Sequence, residues 1–186
     1  MTTSARASLA DNLVTAPRAL LLIDVPGSLR LTRELGDIEA YRLLKAMSGT
    51  FNHAPTMARG RVARRLGDGF LLVFDSVADA AAHAIAVQRG IQGLTPAGCS
   101  LKVRCAIHHG PVLEADGDVF GEAVYLTSRV CGHAHGGEIL LTGQACQQAG
   151  DVAKALNPFG PTLLPGFEDP VPLFELPWRD IPRQDA

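Results

Sequence analysis

The 186-residue chain carries a formal net charge of -2, with 47% hydrophobic residues, 19% charged residues and few aromatics. That balance excludes a disordered chain and gives no general steering toward nucleic acid or an anionic membrane. The length suits one well-buried domain and is short for two.

The longest apolar stretch near the start, Ala19 to Ile23, falls far below the roughly 20 residues of a membrane span, and no leader-like n-region and h-region precede it. A cytoplasmic protein is expected. Cys99, Cys105, Cys131 and Cys146 show neither C-x-x-C nor zinc-type spacing, so reduced, partly buried thiols are expected. The pairs His108-His109 and His133/His135 could form a metal cluster only if folding gathered them.

In chain order, Met1 to Pro17 is patternless and reads as a flexible arm. Arg18 to Val25 is a strand apolar on both faces, hence central in its sheet, and it stops at Asp24 before a Pro26-Gly27 break. A helix follows from about Ser28. Asp37 can cap a second helix, in which Ile38, Tyr41, Leu44 and Met47 recur at helical spacing. After Pro55, the stretch RVARRLGDGFLLVF (Arg61 to Phe74) reads as two antiparallel strands turning at Asp68-Gly69, which leaves the Asp68 carboxylate at the tip.

Ser76 and Asp79 make a capping-box-like start to a helix with a stripe of Ala80, Ala84, Val87, Ile91 and Leu94, ended by Gly93, Pro96 and Gly98. Leu101, Val103, Cys105 and Ile107 alternate with Lys102, Arg104, Ala106 and His108, as in a half-buried strand with Arg104 on the more polar face. A new strand is expected from Pro111 after Gly110, then a helix from near Gly121 to Val130, and a short strand from Glu138 to Leu141 after Gly136-Gly137. Gln144 to Pro161 reads as helix plus loop. Pro165-Gly166 with Val171 to Leu176 suggests a final edge hairpin, and the tail from Pro177 is polar. The expected organisation is an arm over 1-17, one domain over 18-176 and a tail over 177-186. The βααββαβ order predicts an α+β, ferredoxin-like sandwich with helices on one face of a mostly antiparallel sheet.

Two strand-end carboxylates, Asp24 and Asp68, suggest a divalent-metal site, since hard cations take carboxylate oxygens. Read alone, Asp24 merely ends a strand and Asp68 merely makes a turn. The fragments LLIDVPGS, RRLGDGFLLVF, LKVRCAIHHGPV, DVFGEAVYLTSR, GGEILLT and LLPGFEDPVPLFEL, taken together and in order, resemble the catalytic domain of the class III adenylate/guanylate cyclases from about Arg18 to Leu176.

The resemblance implies a conversion of ATP to 3′,5′-cyclic AMP and pyrophosphate, with two Mg²⁺ or Mn²⁺ ions on Asp24 and Asp68, in a head-to-tail homodimer. It implies triphosphate contacts from Arg104 and from Gly27 and Ser28 at the helix entrance. Asp118 matches the acidic residue that accepts from the adenine amino group. Arg64 stands where a lysine donates to adenine N1, although it also fits a solvated run with Arg59, Arg61 and Arg65. Arg129 matches the arginine that stabilises charge on the α-phosphate. Tyr125, one helical turn before it, stands where the family has a ribose-orienting asparagine. A lysine often found near the final hairpin is absent, with Pro165 and Phe167 in that neighbourhood.

Two departures keep a second reading open, a cyclase-homology domain that binds nucleotide or regulates a partner without turnover. A third, diguanylate cyclase, rests on the superficial likeness of RRLGDGF to Gly-Gly-Asp-Glu-Phe. A single glycine precedes Asp68 and no Glu follows it.

Overall fold

The computed structural model describes residues 14–53, 57, 59–92 and 101–182, with backbone alone over 50–53. The arm before residue 14, Pro55, the helix end at Gly93, Leu94, Pro96 and Gly98, Cys99 and the last four residues lie outside the described residues.

The elements are β1 (Val14–Asp24), α1 (Ser28–Leu35), α2 (Asp37–His53), β2 (Gly60–Leu66), β3 (Gly69–Phe74), α3 (Val77–Gln92), β4 (Arg104–Ala115), β5 (Asp118–Phe120), α4 (Glu122–His133), β6 (Ile139–Thr142) and α5 (Gly143–Gln147). A 3-10 helix over Gly150–Ala155 leads to β7 (Asn157–Thr162) and β8 (Val171–Glu175). One sheet runs in the order β2-β3-β1-β4-β6-β8-β7, with β5 folded onto β4. Among the described residues only β4 and β6 pair in parallel; the other pairs are antiparallel. This is the expected α+β class, with the central strand β1 buried on both faces from Ala19 to Ile23.

The helices cover both faces of the sheet rather than one. Ala19, Leu21 and Ile23 of β1 pack with α2 and α3, while Leu20 and Leu22 pack with Ala123, Leu126 and Val130 of α4. Successive strand side chains point to opposite faces, so a strand apolar at every position needs a cover on each.

Several boundaries differ from expectation. β1 begins at Val14, within the expected arm, because residues 14–17 pair with β4. Pro17 lies opposite Pro111, beyond the last β3 partner at Ala19, so its missing N–H costs no ladder bond. Gly110 and Pro111 do not break β4, which runs through them. In α2 the buried face is Ala40, Leu43 and Met47, while Ile38 and Tyr41 are 69% and 64% exposed. Both sets have helical spacing, and only packing against α3 distinguishes them. The tail is anchored at its start: Trp178 is buried and its indole Nε1 donates to Gly137 O at 2.8 Å. Residues 157–162, expected as loop, form the edge strand β7.

Candidate active site

Leu66 pairs with Gly69, so the hairpin turn is Gly67-Asp68 rather than Asp68-Gly69. Gly67 has a φ of 65°, which favours glycine at that corner. Gly69 then lies against the end of β1. A Cβ on it would come 2.8 Å from Ile23 O and 3.3 Å from Asp24 Oδ1. The missing side chain is what lets the hairpin at Gly69, next to Asp68, approach the end of β1.

Across the sheet Asp24 is in register with Arg104 of β4. Arg104 Nε donates to Asp24 Oδ2 at 2.7 Å, and its Nη1 donates to Gly132 O at 3.0 Å near the C-terminal end of α4. Both side chains are about one-quarter exposed, 24% for Arg104 and 25% for Asp24. A guanidinium thus sits where Asp24 would otherwise face solvent, joined to a carbonyl at the negative end of a helix dipole. The donor set suits a hard cation in its two carboxylates. Among the described residues no group of three or more His, Cys, Asp or Glu comes together, and the paired histidines stay apart. His108 bonds Thr142, His133 packs on Phe159, and His135 meets Glu138.

A second cluster forms around β5. Arg64 donates to Asp118 Oδ2 through Nε at 3.0 Å and Nη2 at 2.6 Å, and also to Val119 O. Its guanidinium lies 5.3 Å from the Phe120 ring centroid. Burial raises the Asp118 pKa, but the Arg64 and Val119 hydrogen bonds and the Arg64 and Arg61 charges outweigh it and hold the carboxyl below its ordinary value. A β-bulge between Val62 and Arg64 makes this possible. Arg61 and Arg64 are opposite Val73 and Leu71, both in the core beneath α4, so both arginines face that side. Without the bulge, residues three apart would point to opposite faces. Arg61 uses its position to donate to Glu114 Oε2 at 2.7 Å, and Arg18 holds the other oxygen at 2.7 Å. Glu114 and Arg18 carried no signal in the sequence, since their pairing depends on the antiparallel register of β1 and β4.

Tyr125 and Arg129 share the outer face of α4, with Tyr125 69% exposed. They border a cavity of about 910 Å³ closed on its other side by Pro165, Phe167, Glu168 and Asp169. A second cavity, of about 580 Å³, opens beside the β1–α1 connection and is lined by Gly27, Arg30, Lys102 and His135. Ser28 is the first residue of α1, which has no side-chain cap. No hydrogen bond or shared cavity among the described residues joins Asp24 and Arg104 to Tyr125 and Arg129.

The backbone is similar to that of the adenylyl cyclase CyaB from P. aeruginosa, with a TM-score of 0.73, 21% identity and coverage of 93% of this chain and 99% of that one. It is similar also to the catalytic core of a rhodopsin-guanylyl cyclase with converted specificity, at a TM-score of 0.78, 15% identity and coverage of 88% and 97%. An adenylate/guanylate cyclase/hydrolase from Silicibacter pomeroyi matches at 0.73, with 24% identity over 89% and 98% of the two chains. This chain has the class III nucleotide cyclase fold. No family model matches it.

In sequence, an uncharacterized protein of Mycobacterium tuberculosis is 28% identical over 160 residues, which is 86% of this chain and 40% of that protein. An adenylate cyclase of Streptomyces coelicolor is 29% identical over 120 residues, 64% of this chain and 31% of that one. The cyclase-fold domain thus spans at most 40% of the length of these curated relatives. None of its described helices is long and apolar enough to cross a membrane. Two of its thiols are shielded: Cys105 and Cys131 are buried and free, and burial pushes the Cys131 pKa up to about 12.

Proposed function

We propose that this domain is an adenylate cyclase that closes ATP to 3′,5′-cyclic AMP and releases pyrophosphate, acting as a head-to-tail homodimer in the cytoplasm. The observation that carries this reading is the convergence at the end of β1, where Asp24, the hairpin bearing Asp68, and Arg104 meet from three strands. Two Mg²⁺ or Mn²⁺ ions bound there by Asp24 and Asp68 would lower the pKa of the ribose 3′-hydroxyl and offset triphosphate charge.

The residues supply the rest. Arg104, released from Asp24, offers its fork to phosphate oxygens, and Gly27 and Ser28 let a phosphate approach the start of α1. Asp118 accepts from the adenine amino group while Arg64 donates to N1. Guanine would present an acceptor to Asp118, so the pair favours ATP over GTP. Arg129 stabilises charge on the α-phosphate, and Tyr125 meets the ribose in place of an amide. Among the described residues no hydrogen bond or shared cavity joins Asp24 and Arg104 to Tyr125 and Arg129, which supports a site completed by a second copy.

Turnover of Mn²⁺-ATP to cyclic AMP by purified protein, lost in Asp24→Ala, tests the assignment. Unchanged turnover in that variant overturns it. A specific observation favours a second reading, nucleotide binding without turnover in a domain that regulates a partner: Tyr125 is large and exposed on the face where the family has an asparagine. Protein that binds ATP analogues but forms no cyclic nucleotide would select that reading.

A further inference from the structure

The cavity beside the β1–α1 connection is not used by the residues assigned above, apart from Gly27 on its wall. Three ionisable groups besides Lys102 line it, and all three neutralise one another or are already held. Arg30 lies 3.5 Å from Glu34, an exposed i,i+4 pair on α1. His135 is tied to Glu138, whose Oε2 accepts from the His135 backbone N at 2.7 Å and lies 3.3 Å from its Nδ1. Lys102 makes no ion pair with any described residue.

Lys102 is also placed by the backbone around it. Its neighbours Leu101 and Val103 are buried beneath α2 and α3, so Lys102 takes the opposite face, the one Arg104 occupies two residues on. Its aliphatic stem lies over Gly136. A Cβ at Gly136 would come 2.9 Å from Lys102 Cβ, 3.2 Å from its Cδ and 3.3 Å from Pro26 Cγ. The glycine is a slot for the lysine stem, which leaves the ammonium on a cavity wall that also contains Val25, Pro26 and Gly27, the residues after Asp24.

We infer that Lys102 is the contact for the terminal phosphate of the bound nucleoside triphosphate, and that Gly136 positions it. The inference rests on the cyclase reading above and deepens it. A chain of phosphates starting at Asp24 and passing Arg104 runs onward toward this wall. An ammonium on a flexible stem suits a terminal phosphate, whose oxygens carry the most charge and no fixed bidentate geometry. Gly136 thereby gains a role: a lysine beside the β1–α1 connection stands in for the one absent near the final hairpin.

The test compares binding of α,β-methylene ATP and α,β-methylene ADP, which differ by the terminal phosphate and cannot be cyclised with release of pyrophosphate, by calorimetry with Mn²⁺. Wild type is expected to bind the triphosphate about tenfold more tightly. Lys102→Met keeps the stem and removes the charge, and should reduce that ratio to about twofold with diphosphate affinity unchanged. Lys102→Arg should retain most of it, and Gly136→Ala should reduce it. If Lys102→Met keeps the wild-type ratio, the inference fails while the cyclase reading stands. If wild-type protein binds neither analogue, both fail.

Discussion

Replacing Gly69 with alanine probes the contact on which the proposed metal site depends. The added methyl would stand 2.8 Å from Ile23 O and 3.3 Å from Asp24 Oδ1. Ile23 is fully buried between β3 and β4 and cannot retreat, so the hairpin must lift by a few tenths of an ångström. Overpacking of this kind costs about 1–3 kcal/mol. For a domain of this size that lowers the thermal midpoint by roughly 2–10 °C. A displaced Asp68 should also lower turnover, by less than the roughly 10²-fold that a full 1 Å misplacement can bring.

Gly67→Ala is the control. Its φ of 65° makes alanine strained by about 1 kcal/mol, yet nothing lies within 4 Å of the new methyl, so the tip stays beside Asp24. Thermal unfolding and Mn²⁺-ATP turnover are measured on both. Wild-type midpoint and rate in Gly69→Ala would refute the close approach. Equal rate losses in the two variants would show that general loosening of the hairpin, and not the contact with Asp24, is responsible.

Tyr125→Asn should raise cyclic AMP formation by about 10²-fold, the usual worth of one positioned transition-state contact. Because Tyr125 is exposed, the unfolding midpoint should hardly move; an unchanged rate would mean the ring points away from the ribose. Asp118→Asn exchanges a pure acceptor for a group that can also donate, and should narrow the ATP:GTP preference in kcat/KM about tenfold. An unaltered ratio would remove Asp118 from base recognition. Stability should fall on acidification. Burial lowers the pKa values of His83 and His108 to about 4, with the charge of His109 adding to the effect at His108, so between about pH 6.5 and 4 the unfolded chain binds more protons. Urea unfolding at pH 7.5 and pH 5 should differ by roughly 2 kcal/mol per histidine. A flat profile would show that neither is held neutral. Ser76→Ala removes the acceptor for Asp79 N at 3.1 Å and should cost about 1 kcal/mol in the same assay.

What the sequence made legible was local. Asp24 at a strand end, the start of α3 at Ser76 and the stripe Ala80, Ala84, Val87 and Ile91 all follow from short-range patterns and are where those patterns put them, while the hairpin carrying Asp68 turns one residue earlier than expected. Ile38 and Tyr41 failed for the converse reason. Two faces of α2 have helical spacing, and the choice between them lies in α3 and the sheet, which periodicity within α2 does not contain. Gly110-Pro111 looked like a break because proline cannot donate to a ladder. Opposite Pro17, and between the last β6 partner at Ile107 and the first β5 partner at Leu113, there is no bond to lose.

The candidate site was legible as a set of residues but not as a set of contacts, and the bulge at Ala63 shows why. Strict alternation puts Arg61 and Arg64 on opposite faces, which makes either one look like part of a solvated arginine run. A single extra residue puts both over the core beneath α4, where Arg61 holds Glu114 and Arg64 holds Asp118. Bulges have little sequence signature because the residue that is squeezed out need only be small, and Ala63 is. The pairing also has a cost for function. Arg64 and Asp118 satisfy each other, as Arg104 and Asp24 do, so a nucleotide or cation must displace an existing ion pair to engage them. Both pairs are partly exposed and therefore weak, worth about 1 kcal/mol each, which a triphosphate and a divalent cation can overcome. In the proposed function the same four side chains exchange these two ion pairs for contacts with nucleotide and cation.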